Sequence, residues 1–188
     1  MRKIISIVLV VLLALTTFGC AEQPTPPKQP PQPGEDDFRP SLGGIKLGDS
    51  KEQLLQAFGN KYEEDKFEDE SSLGEHFVRM SYPNGIMAIV GLKTSKVLEI
   101  ETSSESTVTN LGFKIGDKAD AVLAKYRTMY QEPDSRHQPT KLIGWFLLKD
   151  EELIIFNFDQ DEVLVNDPKL KPDSKVKRIK LSNFKYMD

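Results

Sequence analysis

Gly44-Ile45-Lys46-Leu47-Gly48-Asp49 decides the fold, because the stretch returns further along the chain as Gly112-Phe113-Lys114-Ile115-Gly116-Asp117. Four of the six positions are identical, and the apolar positions stay apolar. The match continues without a gap, so that the apolar residues Leu54, Leu55 and Phe58 stand at the same offset from Val122, Leu123 and Tyr126. A fixed offset along a whole segment is typical of an internal repeat, and we expect one structural unit used twice.

Each copy predicts a tight turn followed by a short helix. Gly48 and Gly116 permit a positive φ, and Asp49 or Ser50 can accept hydrogen bonds from the free N–H groups of a first helical turn. The apolar spacing i, i+1, i+4 places one stripe on one face of the helix, which must be buried. Gly59 stands where a glycine commonly ends a helix. In the second copy the pattern predicts a longer helix, over about residues 118–130.

Three strands are expected after each helix. In the first copy they cover residues 77–82, 86–92 and 97–102, with a turn at Pro83-Asn84-Gly85, and in the second copy residues 141–148, 153–158 and 176–181. Along 97–102 the apolar Leu98 and Ile100 alternate with Glu99 and Glu101, which predicts one apolar and one acidic face. The acidic stretch at 63–70 is interpreted as solvated surface.

These elements predict an α+β fold with repeat 1 over residues 42–106 and repeat 2 over residues 107–188. A short amphipathic helix buries its stripe most simply against an antiparallel sheet. Two such units side by side would form one six-stranded antiparallel sheet with both helices packed on one face.

This tandem Gly-x-x-x-Gly-Asp unit, with its helix and three strands, resembles the beta-lactamase inhibitor protein architecture. It is also similar to the single-repeat SmpA/OmlA outer-membrane assembly lipoproteins. The resemblance covers Leu42 to Asp188 and implies the fold and a habit of binding other proteins. The chain has one cysteine and cannot form the disulfides expected in the inhibitor proteins, which argues against inhibition of a beta-lactamase.

The N-terminus predicts export. Arg2-Lys3 is followed by an apolar run, Ile4 to Leu15, that is too short for a comfortable membrane span and typical of a signal peptide, here residues 1–19. Thr17-Phe18-Gly19-Cys20 resembles a bacterial lipobox, which implies cleavage before Cys20 and a diacylglycerol on its thiol. The favoured leucine, Leu15, lies two places too far from Cys20, so an ordinary cleaved signal with a spare thiol is the alternative. We expect a lipid anchor in the cell membrane, on its extracytoplasmic face.

Residues 20–41 are expected to be the lipidated cysteine and a tether. Seven of the twelve prolines in the chain lie between Ala21 and Pro40. Such a segment favours extended polyproline II and acts as a semi-rigid spacer. A ligand for a proline-recognition domain is the alternative interpretation.

The charge of the chain argues against two classes of partner. The net charge is −4, and without Arg2 and Lys3 the remaining 23 basic residues face 29 acidic ones, which gives −6. Nucleic acid needs a basic surface that neutralises phosphates, so we expect no nucleic-acid partner. The same balance argues against electrostatic docking to anionic lipid.

Groups for catalysis or metal binding are sparse. His76 and His137 lie in no ligand-spaced motif. The carboxylates of 159–162 with Asn166-Asp167 are the best calcium candidate, but the glycine that an EF-hand loop needs is replaced by Leu164. We therefore expect no enzymatic activity, no cofactor and no metal site. A cell-envelope hydrolase using Glu99 and Glu101 as acid and base is the alternative of another class.

Aromatic side chains suggest a contact surface. Alternation places Trp145 and Phe146 on opposite sides of one strand, and both sides are apolar. One side meets the helices, and the other packs in the core or contacts a protein. We predict a membrane-anchored, non-enzymatic binding module that recognises an exported or envelope protein through its sheet face, with the candidate contact residues Trp145, Phe77, Tyr82 and Phe156. A small-ligand site at the junction of the repeats is the alternative.

Overall fold

Seven strands of the described part of the chain form one antiparallel sheet. The computed structural model describes residues 39–67, 73–159 and 165–187. The strands are β1 (Glu63–Phe67), β2 (Phe77–Tyr82), β3 (Ile86–Gly91), β4 (Val97–Thr102), β5 (Trp145–Leu147), β6 (Glu152–Phe158) and β7 (Val176–Asn183), and the helices are α1 (Lys51–Phe58) and α2 (Ala119–Tyr126). The spatial order of the strands in the sheet is β1-β2-β3-β4-β7-β6-β5. The predicted α+β class is confirmed. The predicted signal peptide, Cys20 and nearly all of the tether lie outside the described residues.

Helix α1 begins and ends where the sequence predicts. Ser50 is its N-cap and forms a capping box with Gln53, in which each side chain accepts a hydrogen bond from the backbone N–H of the other. Gly59 ends the helix with a φ of 82°. Asp49 has a different role, because its carboxylate accepts the N–H of Lys46 at 2.9 Å and closes the preceding turn.

Helix α2 is shorter than predicted and ends at Tyr126 rather than near residue 130. Beyond it, the N–H groups of Thr128 and Met129 donate to the carbonyls three residues back, those of Lys125 and Tyr126. The hydroxyl of Thr128 also donates to the carbonyl of Lys125, at 2.7 Å. These bonds tighten the chain into turns where the helix ends.

The sheet has seven strands rather than the predicted six, because the acidic stretch contains the edge strand β1. All five of its residues are exposed, and it pairs with β2 throughout. A strand of charged residues shows no alternation of polarity, so the sequence pattern misses it. Charges along an edge strand also hinder unwanted pairing with another chain. At the other edge, β5 is much shorter than the predicted 141–148, because Gly144 turns the chain at a φ of 80°.

Both helices pack on the same face of the sheet, which we call the helix face. Leu54 of α1 and Val122 and Tyr126 of α2 are buried in one cluster with inward side chains of the strands. The cluster includes Met80, Ala88, Ile100, Ile154, Phe156 and Ile179. This cluster is the main core. The expected alternation of Leu98 and Ile100 is wrong, because a bulge opposite Ile89/Val90 resets it and brings Val97, not Leu98, into the core.

The two halves of the chain, residues 39–106 and 107–187, make the same hydrogen bonds at the start of their helices. Gly48 donates to the carbonyl of Val97 at 2.8 Å, and the N–H of Val97 donates to the carbonyl of Asp49 at 2.8 Å. In the second half, Gly116, Val176 and Asp117 make the corresponding bonds at 2.9 Å. The bulges also correspond, because the one in β4 lies opposite Ile89/Val90 and the one in β7 lies opposite Asn157/Phe158, two positions separated by the same offset as Gly48 and Gly116.

Strands β4 and β7 join the halves into one sheet. Glu101 lies opposite Lys180, and the flanking pairs are Ile100 with Leu181 and Thr102 with Ile179. In the matched registers of the two halves, Ile100 corresponds to Ile179 and Thr102 corresponds to Leu181. The pair of Ile100 with Leu181 therefore corresponds to the pair of Ile179 with Thr102, and exchanging the two halves gives the same pairing. The junction therefore has a local twofold relation centred on Glu101 and Lys180.

Candidate functional site: the sheet face away from the helices

The second face of the sheet, which we call the opposite face, carries apolar side chains that belong to neither buried cluster. In β2 and β3 the inward residues pack under the helices, and Phe77, Met87 and Ile89 alternate with them. An antiparallel sheet with one solvated face normally alternates apolar and polar residues cleanly. The apolar residues on this face therefore indicate a contact surface.

We define the first-half patch as Phe67, Phe77, Met87 and Ile89. Phe67 and Phe77 lie opposite each other in the β1–β2 pair, with their rings stacked at 4.8 Å between centroids. Phe67 keeps 36% of its surface exposed, and the guanidinium of Arg79 lies 5.1 Å from its ring centroid. Met87 and Ile89 are half-buried on the neighbouring strand. Arg79 lies between Ile89 and Asp65 in the sheet register and pairs with Asp65 at 2.9 Å, so the patch is an apolar surface that contains one ion pair.

A buried ion network separates the patch from the second half. Lys180 lies 2.8 Å from the carboxylate of Glu99 and 3.6 Å from that of Glu101, which also pairs with Arg178 at 3.3 Å. Ser182 donates a hydrogen bond of 2.9 Å to Glu99. Only 5% of Glu99 and 9% of Lys180 are exposed. The ion pairs and the hydrogen bond from the Ser182 hydroxyl offset the cost of removing these charged groups from water.

In the second half, the opposite face carries its own buried cluster. Leu142, Trp145, Leu153 and Ile155 form it, and Leu147, Phe184 and Met187 pack against it. The last two residues belong to the end of the chain, where a short 3-10 helix, Phe184–Tyr186, follows β7. The C-terminal segment thus covers this half, whereas the first-half patch has no such cover among the described residues.

A groove of about 620 Å³ opens above Trp145. The loop at 135–140 forms one wall, the C-terminal segment 185–187 forms the other, and Val165 contributes from a third segment. A second groove, of about 330 Å³, lies at the edge of the junction and is lined from both halves. In it, Arg39 donates to the carbonyl of Leu47 at 2.9 Å and to the carboxylate of Glu152 at 2.5 Å.

The four candidate contact residues do not share one surface. Phe77 and Trp145 lie on the opposite face, but Trp145 is only 2% exposed. Tyr82 and Phe156 lie on the helix face, inside the main core. Burial raises the pKa of Tyr82 to about 12, with a smaller contribution from nearby Tyr62. Tyr82 and Phe156 are therefore unavailable to a partner, and the contact surface has to be redrawn around Phe77.

The candidate chemical groups are dispersed or already paired. Glu99 and Glu101 are held in the ion network, and His76 and His137 lie in separate loops. Within the described ranges, no three His, Cys, Asp or Glu residues come together in a way that could hold a metal ion. Of the calcium candidate, residues 160–162 lie outside those ranges. Asn166 fastens its loop instead, because its side chain accepts the N–H of Phe158 and donates to the carbonyls of Ile143 and Phe156.

Sequence reasoning missed two parts of this face. Phe67 lies in the acidic stretch 63–70 that was interpreted as solvated surface. An apolar ring among acidic residues was the one feature of the sequence that could have indicated a contact residue there. The burial of Glu99 and Lys180 had no local signal, because these residues, far apart in the sequence, become neighbours only when β4 pairs with β7. Alternation did place Trp145 and Phe146 on opposite sides, and they lie in different clusters.

In the part of the chain that the structure describes, no helix has the length and apolar character needed to cross a membrane. No protein-family model matches the chain, and neither a curated protein nor a solved structure is significantly similar to it.

Proposed function

We propose that this chain is an exported, lipid-anchored, non-enzymatic module that binds another exported or envelope protein through the opposite face of its sheet. Cys20 would carry the lipid, and residues 20–41 would hold the domain away from the membrane on its extracytoplasmic side. The first-half patch is the observation that carries the proposal. Apolar side chains that pack in neither core are the usual centre of a protein contact, where aromatic residues contribute most of the binding energy.

We also propose that the domain is a tandem duplication of the kind found in the beta-lactamase inhibitor proteins. The matched hydrogen bonds of Gly48 and Gly116, the bulges at corresponding positions and the local twofold relation at the junction support it. An aromatic contact supports it as well. Phe58 contacts Tyr82 at 5.8 Å between ring centroids, and the corresponding residues of the second half, Tyr126 and Phe146, are in contact at 5.0 Å.

A small ligand between the halves is less well supported. On the helix face the junction is filled, because Ile100, Ile179 and Leu181 are buried there. The groove at its edge is lined largely by charged and polar groups, including the paired Arg39 and Glu152. A buried apolar ligand needs an enclosed apolar pocket, and this groove does not offer one. The hydrolase alternative is disfavoured in turn, because Glu99 and Glu101 are held in ion pairs with Lys180 and Arg178 and Glu99 is buried.

The proposal is tested by placing a charge in the patch. Met87→Lys puts an ammonium group beside Ile89 of β3, opposite Ser81 of β2 and Glu101 of β4, and we expect it to abolish recovery of the partner when the tagged full chain is purified from membranes of the cells that produce it. Met129→Lys is the matched control, because Met129 is an equally flexible side chain, 38% exposed, just beyond α2. Its recovery of the partner should be unchanged.

Circular dichroism and thermal melting show whether both variants remain folded, and only then are they compared. Equal recovery by the wild type and both variants would remove the patch from the proposal. Trp145→Ala is unsuitable for this test, since it removes a buried core side chain and would perturb the fold together with the surface.

A further inference from the structure

The groove above Trp145 is a formed cleft with bonded walls. Its loop wall is closed by a hydrogen bond of 2.9 Å from the N–H of Ser135 to the carbonyl of Thr140 and by the ion pair of Lys141 with Asp134, also 2.9 Å. Its C-terminal wall is closed by the N–H of Met187, which donates to the carbonyl of Phe184. The walls are connected, because the guanidinium of Arg136 lies 4.4 Å from the ring centroid of Phe184.

The groove has an apolar base and polar walls. Leu142, Trp145 and Met187 belong to the buried cluster beneath it or pack against that cluster, and Tyr186 and Val165 add apolar surface at its sides. Ser135, Gln138 and Thr140 line the loop wall with groups that can both donate and accept hydrogen bonds. The volume of about 620 Å³ lies in the range of sites that hold one small ligand or a few side chains of a peptide.

The charge around the groove is opposite to that of the chain. The net charge of the chain is −4, yet among the described residues that line the groove Lys185 is a cation and none is a carboxylate. The ammonium group of Lys185 lies 4.7 Å from the ring centroid of Tyr186. The guanidinium of Arg136, in the loop wall, packs on the ring of Phe184 in the C-terminal segment. A cationic margin on an acidic protein favours an anionic occupant.

We propose that this groove binds an extended acidic peptide of the partner, which inserts one apolar side chain over Trp145 and places a carboxylate beside Lys185. The inference rests on the proposed function and adds the chemistry of the segment that the partner presents. It names a second contact on the opposite face, across the ion network from the first-half patch. The apolar side chain supplies the anchor, and the charges select acidic sequences.

The only tryptophan of the chain forms the base of the groove, so its fluorescence reports binding at this place. The full chain is titrated with three synthetic peptides, Asp-Glu-Phe-Asp-Glu, its charge-reversed form Lys-Lys-Phe-Lys-Lys, and Asp-Glu-Ala-Asp-Glu without the anchor. We expect a saturable change in Trp145 fluorescence with the first peptide alone. Lys185→Glu should weaken that binding by about tenfold, because an attraction becomes a repulsion near the surface.

Lys114→Glu, an exposed lysine elsewhere in the second half, is the matched control and should leave the affinity unchanged. The proposal is overturned if the acidic peptide gives no saturable change, if the basic peptide binds as tightly, or if Lys185→Glu and Lys114→Glu behave alike. These results leave partner recovery through the first-half patch untouched, because the Met87→Lys experiment measures it separately.

Discussion

The two halves of the molecule make the same hydrogen bonds at their glycine turns but use the opposite face of the sheet differently. Both begin with a glycine turn bonded to the last strand of the half, and both carry a bulge at the corresponding place. On the opposite face, however, the first half presents Phe67 and Phe77 as a stacked surface pair, whereas the second half buries Trp145 under the end of the chain. The halves therefore share backbone hydrogen bonds that position their turns and strands, while the side chains on one face of the sheet differ between them.

The largest expected difference between the halves is the effect of removing an aromatic side chain from this face. Trp145→Ala should lower the free energy of unfolding by about 3 to 5 kcal/mol, because it leaves a cavity in a buried cluster. Phe77→Ala should lower it by only about 1 kcal/mol, the value of a partly exposed ring stack. Urea denaturation measures both. Equal losses would mean that the two aromatic residues have equivalent environments, against the asymmetry described above.

The ion network between the halves gives the next largest effect. Lys180→Met leaves the buried carboxylate of Glu99 without its cation and should lower the free energy of unfolding by about 3 kcal/mol. The double variant Glu99→Leu, Lys180→Met removes both charges and should recover most of that loss, since no unpaired charge remains buried. A double variant as unstable as the single one would show that the pair contributes through packing rather than charge compensation.

The glycine turns test the equivalence of the halves directly. Gly48 and Gly116 have φ values of 81° and 89°, and no atom lies within 4 Å of an added Cβ at either position. Backbone strain is therefore the only cost, and Gly48→Ala and Gly116→Ala should each lower the free energy of unfolding by about 1 kcal/mol. Chemical denaturation of the two variants side by side should show equal losses of unfolding free energy. Clearly unequal losses would show that the two turns are not equivalent.

The smallest effect concerns acid stability. Burial raises the pKa of Glu75, but hydrogen bonds from the Thr94 hydroxyl and from the N–H groups of Thr94 and Lys93 outweigh it, so the pKa is lowered from 4.5. Hydrogen bonds from the Ser174 side chain and the N–H of Lys175 lower the pKa of Asp159 from 3.8. Each carboxylate fastens the turn before the last strand of its half. A lowered pKa contributes stability above the ordinary pKa and loses it as the pH falls through the folded value.

We therefore expect the melting temperature to decrease as the pH falls below 4.5, and to do so less in the double variant Glu75→Gln, Asp159→Asn. Each single variant should remove part of the dependence, and the effects should add because the sites are in different halves. Parallel curves for the wild type and the double variant would show that other carboxylates control acid stability.

The sequence predicted the elements with local signals and missed those that depend on distant neighbours. Helix α1 has a local signal at each end. Its N-terminus is marked by the capping box of Ser50 with Gln53, and its C-terminus by Gly59. Helix α2 has no comparable signals. The side chain of its N-cap, Lys118, makes no capping hydrogen bond, and near its C-terminal end the hydroxyl of Thr128 donates to the carbonyl of Lys125. Strand β1 consists mainly of charged residues and is recognisable only through its pairing with β2.

The candidate site was predictable to the same extent. Alternation assigned Trp145 and Phe146 to opposite faces, because that depends only on the strand. It could not say which face meets the helices, so Tyr82 and Phe156 were placed in the contact set although they lie in the main core. The burial of Trp145 depends on Phe184 and Met187, which come from the far end of the chain.

The most direct test of the central claim is site-specific photo-crosslinking in intact cells. A photoreactive amino acid at Ile89 on the opposite face is compared with one at Gln56, an exposed position of α1. We expect a discrete crosslinked envelope protein from Ile89 and none from Gln56, with the product lost when Met87→Lys is added. Crosslinking of the same protein from Gln56 alone, or no dependence on Met87→Lys, would contradict the central claim.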